Sequence, residues 1–170
     1  MISFRASLLL LLLLSATNAL AGELPEIPHK LQPSEKVLIG GQPDEAALRA
    51  AAAAGIRVVV NLRTDEEPID YDEAALVNEL GMRYLHLPIS GPADLTPENV
   101  RTFGALLEEI GDQPALLHCG SGNRVGALYA LHAGTELGMD TEAAIEFGQA
   151  HGLTRLEDAV RERLEGDAAD

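Results

Sequence analysis

The sequence predicts an α/β domain, a three-layer sandwich with a mostly parallel central sheet and helices on both faces. Three observations predict it. Short aliphatic runs alternate with helical segments rich in Ala and Leu, the order that gives parallel strands joined by crossover helices. Val58-Val59-Val60 is apolar without alternation, which suits a strand covered on both faces. Glycine or proline stands at most of the expected boundaries, where chain direction changes.

The elements follow in order. Residues 22–35 are Pro-rich and without period, so they read as an extended lead-in before a domain over residues 36–165. Val37-Leu38-Ile39 is a short strand ending at Gly40-Gly41. Pro43 to Ala54 is an Ala-rich helix, with Gly55 as its left-handed stop. Ile56 to Leu62 holds the valine strand. Asp72 to Leu80 is a helix closed by Gly81, and Met82 to Leu87 a further strand. Thr96 is placed as N-cap and Pro97 at the first position of a third helix, which ends near Gly111. Ala115-Leu116-Leu117-His118 is the last strand. Three helices complete the chain, starting near Arg124, at Asp140 and at Thr154, where Thr154-x-x-Glu157 reads as a capping box.

Composition narrows the function. A chain of 170 residues with 46% hydrophobic residues has room for one domain with its own core, expected to be a monomer. Its 12 Lys+Arg against 27 Asp+Glu give a net charge of −15, which argues against nucleic acid as partner. A single cysteine excludes an internal disulfide framework and any multi-cysteine zinc site. No metal or cofactor is called for by any His, Asp or Glu spacing. Residues 1–21 carry the three-part pattern of a signal peptide: Arg5, the leucine run from Leu8 to Leu14, then Ala19-Leu20-Ala21. The leucine run is too short for a stable membrane anchor. The expected location is therefore periplasmic or secreted, with cleavage near Ala21.

The chemistry sits after the last strand. His118-Cys119-Gly120-Ser121-Gly122-Asn123-Arg124 runs from a buried strand through a Gly-rich loop into a helix. Such a loop turns successive backbone N–H groups inward at the positive end of the helix dipole, a cradle for an oxyanion. Gly120, Ser121, Gly122 and Asn123 supply the amides, and Arg124 can add a guanidinium fork. Cys119 lies at the floor, where the same groups stabilise a thiolate and make it a nucleophile. A general acid is also needed, and Asp94, on the loop after the preceding strand, is the candidate. An Asp before a helix can equally cap or be solvated. Asp65, Glu66 and Glu67 follow another strand end, where they can line the cleft, but read first as a solvated turn. Tyr71, Tyr84 and Tyr129 can line a pocket but read by default as core, and His132 and His151 as packing or surface residues.

His118-Cys119-x-x-Gly122-x-Arg124 resembles the signature loop of cysteine-dependent phosphatases, and also the active-site loop of rhodanese sulfurtransferases. Three upstream segments tip the balance: Ile39-Gly40-Gly41-Gln42-Pro43, Gly55 to Arg63, and Tyr84-Leu85-His86-Leu87-Pro88. They are similar to the opening half of dual-specificity-type phosphatases, above all to the bacterial phosphatase-like domain of beta-lactamase-hydrolase-like proteins. The resemblance implies a cysteine-phosphatase-like fold and hydrolysis of phosphate monoesters through a cysteinyl-phosphate on Cys119, on a phosphorylated protein or small molecule. Arg124 would hold the transferring oxyanions, and His118 would help keep the thiolate ionised and the loop in shape. Two departures stand out. Four residues separate Cys119 from Arg124, a rhodanese loop size that the bacterial phosphatase-like family often shows as well, and Val125 replaces the usual hydroxyl residue. The alternatives are a sulfurtransferase carrying a Cys119 persulfide and a non-catalytic anion-binding module.

Overall fold

The structure is a computed structural model and describes residues 23–167; the expected signal peptide lies outside the described residues. Five strands form one sheet in the order β1-β2-β5-β3-β4. They are β1 (Leu31–Ser34), β2 (Val37–Gly40), β3 (Val58–Asn61), β4 (Arg83–His86) and β5 (Ala115–His118). The last four run parallel, and β1 pairs antiparallel with β2 at the edge. Six helices surround the sheet among the described residues: α1 (Glu45–Ala54), α2 (Glu73–Glu79), α3 (Pro97–Ile110), α4 (Asn123–Thr135), α5 (Thr141–Ala150) and α6 (Glu157–Asp167).

The unbroken aliphatic strands explain the three layers. Neighbouring side chains on a strand point to opposite faces, so each central strand feeds two cores. Val58, Val60, Ile39 and Leu117 join Phe103, Leu128 and Leu131 in the larger core, beneath α3, α4, α5 and α6. Val59, Leu38 and Leu116 join Leu48 and Val77 in the smaller one, beneath α1 and α2. Strand β5 lies between β2 and β3, the innermost place in the sheet.

Local signals set most element ends. The carboxylates of Asp44, Asp72 and Asp140 accept the N–H groups of Ala47, Ala75 and Ala143, capping α1, α2 and α5. Thr96 caps α3 through the N–H of Asn99, with Pro97 in the first turn.

Two expectations need correction. The lead-in is extended but belongs to the fold. Its residues 31–34 form β1, Ile27 is buried in the smaller core, and the Gly41 N–H donates to the Pro28 carbonyl at 2.7 Å. The domain therefore begins before residue 36. Nor does Thr154 open a capping box. Its N–H and hydroxyl both donate to Asn123 Oδ1, at 2.8 and 3.1 Å, and α6 starts at Glu157.

Candidate active site

Cys119 stands at the carboxyl end of the central strand, where loops from both sides of the sheet meet. Open parallel sheets place their ligand crevices there. Its N–H reaches the Gly40 carbonyl at 3.3 Å, continuing the pairing of β5 with β2. The loop then turns sharply into α4. Gly122 makes that turn at φ 84°, in the left-handed region where a side chain would be strained. Its N–H comes back onto the sulfur and donates to Cys119 Sγ at 3.1 Å. The thiol itself is buried, with 1% of its surface exposed. Close packing holds the helix behind the loop: a Cβ on Gly126 would lie 2.0 Å from the Leu153 nitrogen.

Arg124 extends from the first turn of α4 across the loop. Its Nη1 and Nη2 donate to Glu67 Oε1 and Oε2 at 2.5 and 2.8 Å, and Nη1 also donates to the Ile89 carbonyl at 2.6 Å. Arg63 reaches the same carboxylate through Nε at 3.2 Å. Glu67 therefore holds two arginines, and its own carboxyl is lowered from 4.5 to about 2, chiefly by Arg124. In return Glu67 first, and Cys119 after it, hold Arg124 more firmly protonated than a free guanidinium.

The other predicted residues divide. Gly120 and Ser121 complete the loop, and together with Arg124 they line a cavity of about 480 Å³ at its mouth. The Asn123 side chain turns away from the cradle and braces the α5–α6 connection through Thr154 and Leu156. His118 lies behind the loop, fully buried. Its Nε2 is 2.7 Å from Glu73 Oε1, an ion pair whenever the imidazole is charged, although the approach is too oblique for an aligned hydrogen bond. The other carboxylate oxygen of Glu73 accepts from Gln42 at 3.1 Å and Asn61 at 3.2 Å. Asp94 is spoken for locally: its carboxylate accepts both the N–H and the hydroxyl of Ser90. Those bonds, the hydroxyl first, hold its carboxyl below the usual carboxylate range.

Sequence reasoning set Glu67 aside as a solvated turn residue and missed Glu73. Glu67 is not a solvated turn residue, unlike its exposed neighbours Asp65 and Glu66. Of the two readings for the tyrosines, Tyr71 and Tyr84 take the pocket, lining a cavity of about 350 Å³ beside Glu73. Tyr129 packs in the larger core, and His151 stacks on it with ring centroids 4.2 Å apart. His132 lies against Gly104 of α3.

A central parallel strand that delivers a buried cysteine into a Gly-rich loop, with arginine on the following helix, defines a protein of the cysteine-phosphatase fold. Within that class the chain belongs to the family of the beta-lactamase hydrolase-like protein, phosphatase-like domain, which it matches over residues 33–135. It is 30% identical over 124 residues to the beta-lactamase hydrolase-like protein of Agrobacterium fabrum, covering 71% of this chain but 28% of that protein. Among solved structures, a candidate phosphatase of Neisseria meningitidis is 27% identical, with a TM-score of 0.64 over 80% of this chain and 96% of its own. TpbA of P. aeruginosa, solved in complex with pTyr, shares the fold at 22% identity and a TM-score of 0.52, covering 82% of this chain and 88% of its own.

Proposed function

We propose that this chain is an exported phosphomonoesterase that works through a cysteinyl-phosphate. One observation carries the reading: at the end of the central strand, Cys119 Sγ receives the Gly122 N–H while Arg124 stands tethered over the same loop. The sulfur lone pair attacks phosphorus, the P–O bond to the leaving group breaks, and the cysteinyl-phosphate forms. Water then attacks phosphorus, the S–P bond breaks, and the thiolate returns with release of phosphate. Loop amides and Arg124 hold the equatorial oxygens in both steps. Val125 is buried in the larger core, so no hydroxyl follows Arg124 to assist loss of the thiolate. Breakdown of the cysteinyl-phosphate, the step common to all esters, is accordingly slow.

The matched family and TpbA's pTyr complex support phosphate chemistry, whereas the four-residue spacing between Cys119 and Arg124 supports sulfur transfer. Assaying the purified protein in parallel with para-nitrophenyl phosphate and with thiosulfate plus cyanide decides between them. The expected result is hydrolysis that Cys119→Ser abolishes while vanadate binding persists. Transfer of sulfur to cyanide without phosphate release would overturn the proposal. The signal pattern of residues 1–21 supports export, which the N-terminal mass of the mature protein checks.

A further inference from the structure

Two cavities adjoin the loop, and both are lined by Ser121 and Arg155. The first, of about 480 Å³, includes Arg124; the second, of about 670 Å³, runs on to His29 and Lys30. No carboxylate lines either one. In a chain of net charge −15 that is an unexpected segregation of charge. Arg155 is exposed and makes no ion pair among the described residues, although carboxylates are abundant and most other basic side chains have found one. An arginine fork held free beside an oxyanion cradle is suited to a second planar anion.

We infer that the leaving group of the substrate carries a second anionic group, a carboxylate or a phosphate, which binds Arg155 while the reacting phosphate sits over Cys119. This rests on the reading of the loop as a phosphate site and names the substrate class for it. The groove leaves open a longer ligand that also reaches Lys30, whose ammonium is shared with Glu26 at 2.5 Å.

The test is a calorimetric titration of the Cys119→Ser protein, which binds without turnover, against three ligands of one scaffold: phenyl phosphate, 3-carboxyphenyl phosphate and 1,3-phenylene bisphosphate. The second anion should tighten binding about fivefold, as for a partly exposed charge pair. Arg155→Ala should bring that ratio close to one, and Arg155→Glu should invert it. The arm showing the larger ratio identifies carboxylate or phosphate as the favoured second group. A ratio that survives both Arg155 variants, or that is already one in their absence, overturns the Arg155 site alone. Failure of all three ligands to bind overturns the cradle itself, and with it the site.

Discussion

The loop has two unlike neighbours. On one side, the cavity beside α2 is lined by Asp65, Glu67, Asp72 and Glu73; on the other, the groove past Ser121 is lined by basic and neutral residues. The difference lies in where the charges are spent. On the acidic side two of them are consumed internally: Glu67 by Arg124, Arg63 and the Thr64 N–H, and Glu73 by Gln42, Asn61 and His118. The contacts with Arg124, Gln42 and His118 join segments far apart in sequence, so that side works as scaffold for the loop. In the groove, Arg155 forms no such bond and is left for a ligand. Charge near an active site is thus informative only with its partners: paired and buried it holds geometry, unpaired and exposed it recognises.

The sharpest way to break this contrast is to treat both sides as scaffold and remove one charge from each. Glu73 is 5% exposed, and Glu73→Leu takes a carboxylate away from Gln42 and Asn61, which keep Tyr71 and Tyr84 as partners, and from His118, whose buried ring then has no polar neighbour to offset its charge. Urea unfolding should show a loss of roughly 1–3 kcal/mol, the range for leaving one buried polar group unsatisfied. Arg155→Leu, at an exposed and unpaired site, should stay within about 0.5 kcal/mol of the parent. Similar costs for the two would erase the distinction between a structural and a recognition side.

Glu67 tests whether the scaffold reaches the chemistry. Glu67→Gln removes the charge that fixes the Arg124 fork but leaves a side chain of the same size. On para-nitrophenyl phosphate, kcat/KM should fall roughly ten- to hundredfold, the usual cost of a misplaced catalytic group. The same variant carries a pH signature. A carboxyl lowered from 4.5 to about 2 in the folded chain stabilises it fully above about pH 4.5, and that contribution fades as pH falls towards 2. Because solvent reaches the pair, it is worth about 1 kcal/mol rather than the full shift. Acid unfolding of Glu67→Gln should therefore lack this slope, while the two proteins differ by a constant amount at neutral pH.

The same contrast explains what the sequence made legible. The valine strand, the Thr96-Pro97 helix start and the run from His118 to Arg124 are local signals, complete within a few residues. Strand β1 is not: its residues Leu31 to Ser34 are largely exposed, show no buried face and include Pro33, so only pairing with β2 makes them a strand. Thr154-x-x-Glu157 has the local pattern of a capping box, but Asn123, 31 residues away, takes the threonine. Glu67 meets Arg124 across 57 residues, and no local pattern marks such a partner. The loop was readable because it is one segment, and its support was not because it is assembled by the fold.

Asp94 carries the smallest expected effect; it accepts from Ser90, which lines the cavity over the loop. A general acid matters in proportion to how poor the leaving group is, since a good one departs without a proton. Its carboxylate instead accepts the Ser90 N–H at 2.7 Å and the Ser90 hydroxyl, and both bonds favour the charged form over the protonated form an acid requires. In this arrangement Asp94 shapes the Ser90 side of the cavity mouth, so Asp94→Asn should change phenyl phosphate and para-nitrophenyl phosphate hydrolysis by the same factor, about threefold or less, well short of acid catalysis. A loss of roughly a hundredfold confined to phenyl phosphate would show that Asp94 leaves Ser90 and protonates the leaving oxygen. The basic limb of the pH–rate profile gives an independent reading: it should persist in Asp94→Asn, and its flattening would assign that limb to this carboxyl. Asp94 would then serve chemistry as well as shape, and the division between the two sides would no longer hold at the mouth.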